Sequence, residues 1–71
     1  MKGFVSMKFI QFGDIDSQAC YNAHHISAIH WNNSNVIEIV AADRKHTHSF
    51  ADAEAAKFVY WNNIVKNLKG E

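Results

Sequence analysis

Hydrophobic and polar residues alternate in short runs along the first two thirds of the chain, a pattern typical of β-strands. Turn-forming residues separate the runs, most clearly in the segment 32–35, which reads Asn-Asn-Ser-Asn and predicts a tight hairpin. Further turn formers occupy 13–17 and 42–45. The pattern predicts four strands, at 4–12, within 19–31, at 36–41 and beginning at 46–48.

Two details of spacing refine the predicted sheet. Ile26 and Ile29 lie three residues apart, so strict alternation would send them to opposite faces, and a β-bulge between them would return both to the core. The alternative is a sheet that is apolar on both sides at this point. In the next strand, alternation predicts that Ile37 and Ile39 face the core while Glu38 faces solvent.

The segment 50–69 predicts one amphipathic helix, with Ser49 as its N-cap, Asp52 completing a loose capping box and Gly70 ending it. At about 100° per residue, four large apolar side chains share the face expected to cover the sheet. They are Phe58, Trp61, Val65 and Leu68. Asn62 falls near this face, where a buried asparagine would set the register of an interface; the alternative is that Asn62 lies on the surface.

The predicted fold is therefore α+β, a four-stranded antiparallel meander with one C-terminal helix packed on one face, in a single domain covering residues 1–71. A domain of this size buries only about 60% of the surface of its unfolded chain, so a partner chain is an economical source of stability. Apolar residues that lie outside the core-facing positions of the helix and of the third strand predict a homodimer or higher homo-oligomer. These interface candidates are Val59, Tyr60 and Ile64 on the helix flank, and Val36 and Val40 on the uncovered sheet face.

Charge composition argues against nucleic acid as the leading partner. Seven Lys and Arg residues balance seven Asp and Glu residues, giving a formal charge of zero, whereas nucleic-acid-binding domains usually carry a basic excess. The alternative is a small nucleic-acid-binding regulator that uses Arg44 and Lys45 with exposed aromatic residues, chiefly Trp31.

Histidine spacing raises a metal-binding alternative. His46 and His48 form a His-x-His pattern on one face of a strand. A third ligand would have to come from His30 or His24 on the second strand, with Cys20 as a further alternative. The structural interpretation is that these are half-exposed strand residues, because the chain lacks the ligand spacing of structural zinc sites. We therefore expect no cofactor.

An enzymatic function is not predicted. The carboxylate pairs Asp14/Asp16 and Asp52/Glu54 have structural explanations, in a turn and at a helix N-terminus. The unpaired Cys20 has no cationic neighbour in sequence to activate it, and its solitary thiol suits a cytoplasmic protein. No signal peptide or membrane span is predicted. The leading hypothesis is a non-enzymatic interaction module that self-associates and binds an unidentified protein partner.

Overall fold

The computed structural model describes residues 9–68, which fold into five strands and a C-terminal helix. The strands are β1 (Phe9–Gly13), β2 (Gln18–Asn22), β3 (Ile26–Trp31), β4 (Val36–Ala41) and β5 (Arg44–Ser49). The C-terminal helix comprises α1 (Ala53–Val59), a π-helical segment (Tyr60–Val65) and α2 (Lys66–Leu68). The predicted α+β class, with antiparallel strands and one C-terminal helix, is confirmed.

The prediction of a single four-stranded meander is wrong, because the strands form two sheets. β1 pairs with β2, and β3, β4 and β5 form a separate antiparallel sheet in that order. The segment predicted as one strand is broken by a 3-10 turn, Ala23–His25. The Asn22 side chain caps this turn by accepting a 2.9 Å hydrogen bond from the amide of His24. The predicted strand residues 4–8 and the predicted helix end at 69–70 lie outside the described residues.

The three-stranded sheet follows the sequence pattern closely. The register between β3 and β4 shifts between Ile26 and Ala28, so the predicted bulge is confirmed. Ile37 and Ile39 are fully buried, also as predicted. The turn predicted at 42–45 is shorter than expected, since Ala41 already pairs with Arg44. Ala42 and Asp43 complete the turn with φ angles of 52° and 64°.

Both the β1–β2 hairpin and the C-terminal helix cover the inner face of the three-stranded sheet. Phe12 of the hairpin contacts Phe50 at 5.9 Å between ring centroids. Tyr60 of the helix packs on Trp31 at 4.7 Å. The helix also meets the hairpin, where the side-chain amide of Asn63 donates a 2.9 Å hydrogen bond to the carbonyl of Gln11. The core therefore joins all three units, and its buried members are Ile10, Phe12, Ile37, Ile39, Ala41, Phe50, Ala56 and Ile64.

The predicted orientation of the helix is wrong. Ala56 and Ile64 face the core and are fully buried, whereas Phe58 is 64% exposed and Trp61 50% exposed. In a regular α-helix, residues eight apart are about 80° out of phase. The π-helical segment has i→i+5 hydrogen bonds and takes up about one extra residue, which brings Ala56 and Ile64 into line. The same segment breaks the predicted stripe, leaving Leu68 45% exposed near the helix end.

The start of the helix also differs from the prediction. Its N-cap is Asp52, whose carboxylate accepts a 2.8 Å hydrogen bond from the amide of Ala55. Ser49 is instead the last residue of β5. The amide of Phe50 is bonded to the carbonyl of Asn35 at 2.8 Å, so the chain stays tied to the β3–β4 turn before the helix begins. Within the described range, no helix is long and apolar enough to cross a membrane.

Candidate functional site

A hydrogen-bonded chain of three side chains joins the hairpin to the three-stranded sheet. His48 on β5 contacts Asp14, in the turn after β1, with 2.6 Å between Nδ1 and Oδ2. Its Nε2 lies 2.5 Å from the hydroxyl of Tyr21 on β2. The side chains of His48 and Asp14 are only 12% and 9% exposed. The turn and the second strand of the β1–β2 hairpin therefore meet a distant strand at one imidazole.

The donors and acceptors of this chain follow from its chemistry. An ionised carboxylate only accepts, so Nδ1 of His48 carries the proton and donates to Asp14. In the neutral imidazole, Nε2 is then an acceptor for the hydroxyl of Tyr21. The bond from His48, with further bonds from the amides of Ser17 and Asp16, lowers the pKa of Asp14 below its ordinary 3.8. Burial, and secondarily the Asp14 charge, raises the pKa of Tyr21 above 10.0.

The surroundings of this chain are aromatic and packed. The ring of Phe12 meets His48 edge-on at 5.0 Å, and His46 meets Tyr21 at 5.4 Å. Both nitrogens of His48 are engaged within the protein, and a raised pKa disfavours a tyrosinate nucleophile. The arrangement therefore suits a polar connection that holds the hairpin against β5. Sequence reasoning placed Asp14 correctly in a turn, but no local signal links it to residues 34 positions away.

The three predicted metal ligands are not brought together. His46 and His48 share the inner face of β5, opposite the buried Ile39 and Ile37. His30 pairs with Glu38 on β4, and alternation puts both on the outer face of the sheet. Among the residues of known placement, no group of three or more His, Cys, Asp or Glu side chains is arranged to hold a metal ion.

The residues of the nucleic-acid alternative are also separated. Arg44 and Lys45 are the first, exposed residues of β5, at the end of the sheet where Arg44 pairs with Ala41. Trp31 is on the other side of β4, where it pairs with Ile37, about 13 Å further along the strand direction at 3.3 Å per residue. Its indole N–H donates a 2.8 Å hydrogen bond to the carbonyl of Ser34, and its ring packs on Tyr60. Trp31 is therefore part of the fold and does not extend the basic turn.

The predicted helix interface needs revision. Ile64 is fully buried in the chain's own core, so its side chain is not accessible to a partner. Val59 and Tyr60 are half-buried and pack against the same core. Asn62 is exposed and donates a 3.0 Å hydrogen bond to the carbonyl of Phe58, so the hypothesis of a buried register-setting asparagine loses its basis.

The other predicted interface residues, Val36 and Val40, lie half-buried on the outer face of the sheet, away from the helix. They alternate there with Glu38, and their partners on β5 are Ser49 and Lys45. This outer face is therefore a mixed surface of valines and polar residues.

The C-terminal helix exposes an aromatic surface that sequence reasoning had placed in the core. We use the term helix outer surface for the exposed side chains of Phe58 and Trp61 and the groove between them. The groove has a volume of about 270 Å³ and is completed by Glu54, Lys57 and Asn62. Large aromatic residues in contact with water are costly for a small domain, and they are the residue types that most often anchor interfaces.

A larger cleft of about 510 Å³ lies at the end of the sheet beside the 32–35 turn. Its walls combine the Trp31–Tyr60 pair with residues from the outer face. The lining residues are Ile29, His30, Trp31, Asn32, Ser34, Val36, Glu38 and Tyr60. It is wide and open to solvent, and the Asp14–His48–Tyr21 chain does not contribute to it.

Comparison of the chain with protein-family models, with curated proteins and with solved structures found no match.

Proposed function

We propose that this protein is a non-enzymatic interaction module that self-associates through the helix outer surface and binds a partner protein. The observation that carries the proposal is the exposure of Phe58 and Trp61 side by side on one helix. Aromatic side chains bury about 150–250 Å² each when covered, so the two offer roughly 200 Å² of apolar area that the fold leaves in water. Covering this area would supply stability that a domain of 71 residues otherwise lacks.

Two further features support a binding role over a catalytic one. The Asp14–His48–Tyr21 chain has its hydrogen-bonding groups satisfied within the protein and lines neither of the clefts described above. The zero formal charge of the chain removes the electrostatic repulsion that would oppose association of identical copies.

Self-association is tested by removing the aromatic surface without changing charge. The double variant Phe58→Ser/Trp61→Ser is expected to be monomeric by light scattering at concentrations where the unmodified chain is assembled. Leu68→Ser is the matched control, because it also removes an exposed large apolar side chain but lies off the helix outer surface. Circular dichroism verifies that each variant is folded. An assembly that survives the double substitution would refute the proposed surface.

The second part of the proposal concerns the partner protein. The outer face of the three-stranded sheet remains free in a helix-mediated assembly, and its mixture of Val36 and Val40 with polar residues is typical of non-obligate interfaces. Val40→Glu is expected to leave the mass of the assembly unchanged and to abolish chemical crosslinks to other proteins in a cell extract. Dissociation of the assembly by Val40→Glu would instead place self-association on the sheet face.

A further inference from the structure

One ridge of the C-terminal helix carries opposite charges at its two ends and an aromatic ring between them. Glu54, Phe58, Asn62 and Lys66 follow one another at intervals of four residues, and all four are exposed. Residues four apart are neighbours on a helix surface, and the hydrogen bond between the Asn62 amide and the Phe58 carbonyl shows this adjacency directly. We call this set the outer ridge. Trp61 stands beside it, across the groove shared with Phe58.

The outer ridge is complementary to itself when reversed. An antiparallel copy centred on Tyr60 places Glu54 opposite Lys66 of the second copy, and Lys66 opposite Glu54. The same alignment places Phe58 opposite Asn62 and brings the Phe58 and Trp61 rings of the two copies together at the centre. A parallel copy would instead place Glu54 against Glu54 and Lys66 against Lys66, with both charge contacts repulsive.

Helix electrostatics favours the same arrangement. The N-terminal end carries partial positive charge and the acidic Asp52 cap, whereas the C-terminal end carries partial negative charge and Lys66. Antiparallel helices place the positive end of each dipole beside the negative end of the other. A two-fold arrangement also uses each contact twice and closes at two copies, so it limits the assembly to a dimer.

We propose that the partner on the helix outer surface is a second copy of this chain, packed antiparallel so that Glu54 of each copy pairs with Lys66 of the other around a central aromatic cluster. This inference rests on the proposed self-association and specifies its geometry. Glu54 and Lys66 of one copy are separated by roughly three helical turns, so this length of helix is covered in each copy.

Charge exchange tests the alignment. Glu54→Lys alone and Lys66→Glu alone each convert two attractive contacts into two repulsive ones, and each is expected to weaken the dimer about tenfold or more. The double variant Glu54→Lys/Lys66→Glu restores both attractive contacts with the two charges exchanged. It is expected to recover the dissociation constant of the unmodified chain. An equimolar mixture of the two single variants is expected to form a heterodimer of similar affinity, because both of its charge contacts are attractive.

Net charge alone would also draw oppositely charged variants together, so a control pair is needed. Asp16→Lys and Arg44→Glu produce the same net charges at exposed positions outside the helix. This control mixture is expected to behave like the unmodified chain. Dissociation constants are measured by sedimentation at moderate salt, where long-range attraction between exposed charges is screened.

The outcomes separate the inference from the proposal beneath it. If the unmodified chain is monomeric at all concentrations, the proposed self-association fails. If the chain is dimeric but the double variant stays as weak as the single variants, self-association stands and the antiparallel alignment is refuted. The alignment is supported if the double variant and the mixture both regain the dissociation constant of the unmodified chain, while mixing the two control variants does not strengthen their association.

Discussion

Removal of the Tyr21 hydroxyl is the most direct perturbation of the connection between hairpin and sheet. In Tyr21→Phe the ring keeps its contacts, while Nε2 of His48 loses the hydrogen bond that it accepts at 2.5 Å. The side chain of His48 is 12% exposed, so solvent can replace this bond only partly. A net hydrogen bond contributes about 0.5–1.5 kcal/mol, and an acceptor left unsatisfied costs about 1–3 kcal/mol. We expect Tyr21→Phe to lower the free energy of unfolding by about 1–2 kcal/mol.

The assay is urea denaturation followed by circular dichroism at neutral pH. All variants are compared at one protein concentration, because the stability of a self-associating chain depends on concentration. In a domain of this size, the expected loss corresponds to a fall in melting temperature of about 7–13 °C. Tyr60→Phe is the matched control, since Tyr60 is also half-buried but packs on Trp31 away from the histidine.

A double-mutant cycle with Asp14→Asn then tests whether the three side chains act together. Asp14 fixes the protonated nitrogen of His48, so its substitution is expected to reduce the effect of Tyr21→Phe. The expected coupling energy exceeds about 0.5 kcal/mol. The reasoning is refuted if Tyr21→Phe is as stable as Tyr60→Phe, or if the two substitutions are additive to within about 0.3 kcal/mol.

Three further predictions follow from the same structure. Because the pKa of Asp14 is lowered on folding, its ionised form contributes stability that is complete above pH 3.8 and disappears as pH falls through the folded value; the stability gap between unmodified chain and Asp14→Asn should therefore close on acidification in a urea titration series. Ile64→Ala should cost about 2–5 kcal/mol, as a fully buried core residue, while Leu68→Ala should change unfolding by no more than about 0.5 kcal/mol; equal effects would contradict the observed helix orientation. Ala42→Gly should raise the melting temperature, because relief of the left-handed conformation, worth about 1–2 kcal/mol, exceeds the entropic cost of glycine, about 0.5–1 kcal/mol.

The three-stranded sheet is the part of the fold that the sequence determines most clearly. Alternation along β4 identified Ile37 and Ile39 as core residues. The three-residue spacing between Ile26 and Ile29 identified the bulge. These signals are local, because side chains alternate between the two faces of a strand, so a strand buried on one face has an apolar residue at every second position. The division into two sheets was missed because the segment Ala23–His25 contains neither Gly nor Pro and resembles a continuing strand.

The helix orientation was missed for a different physical reason. A periodicity of 3.6 residues was assumed throughout, whereas the π-helical segment shifts the core-facing positions by about one residue. Asn63 also lies on the covered side of the helix, where its side-chain amide donates a hydrogen bond to the Gln11 carbonyl. Because Asn63 is polar, the core-facing side of the helix does not show a continuous apolar pattern in the sequence. The large apolar side chains that the helix leaves exposed are Phe58, Trp61 and Leu68, all of which the predicted stripe had assigned to the core.

The polar chain could not be predicted from sequence at all. Asp14 and His48 each had a sufficient local explanation, in a turn and in a strand. Only the packing of the hairpin on β5 brings them within hydrogen-bonding distance. Contacts of this kind depend on tertiary structure, and no periodicity or spacing encodes them.

Self-association through the C-terminal helix is the central claim, and the molar mass of the unmodified chain in solution tests it most directly. The measurement is light scattering behind a sizing column, across a concentration series at neutral pH. Our account predicts a species of about twice the chain mass of 8.1 kDa, dissociating only on dilution. A mass of 8.1 kDa at every concentration would contradict it, and would show that Phe58 and Trp61 remain in water in the isolated protein.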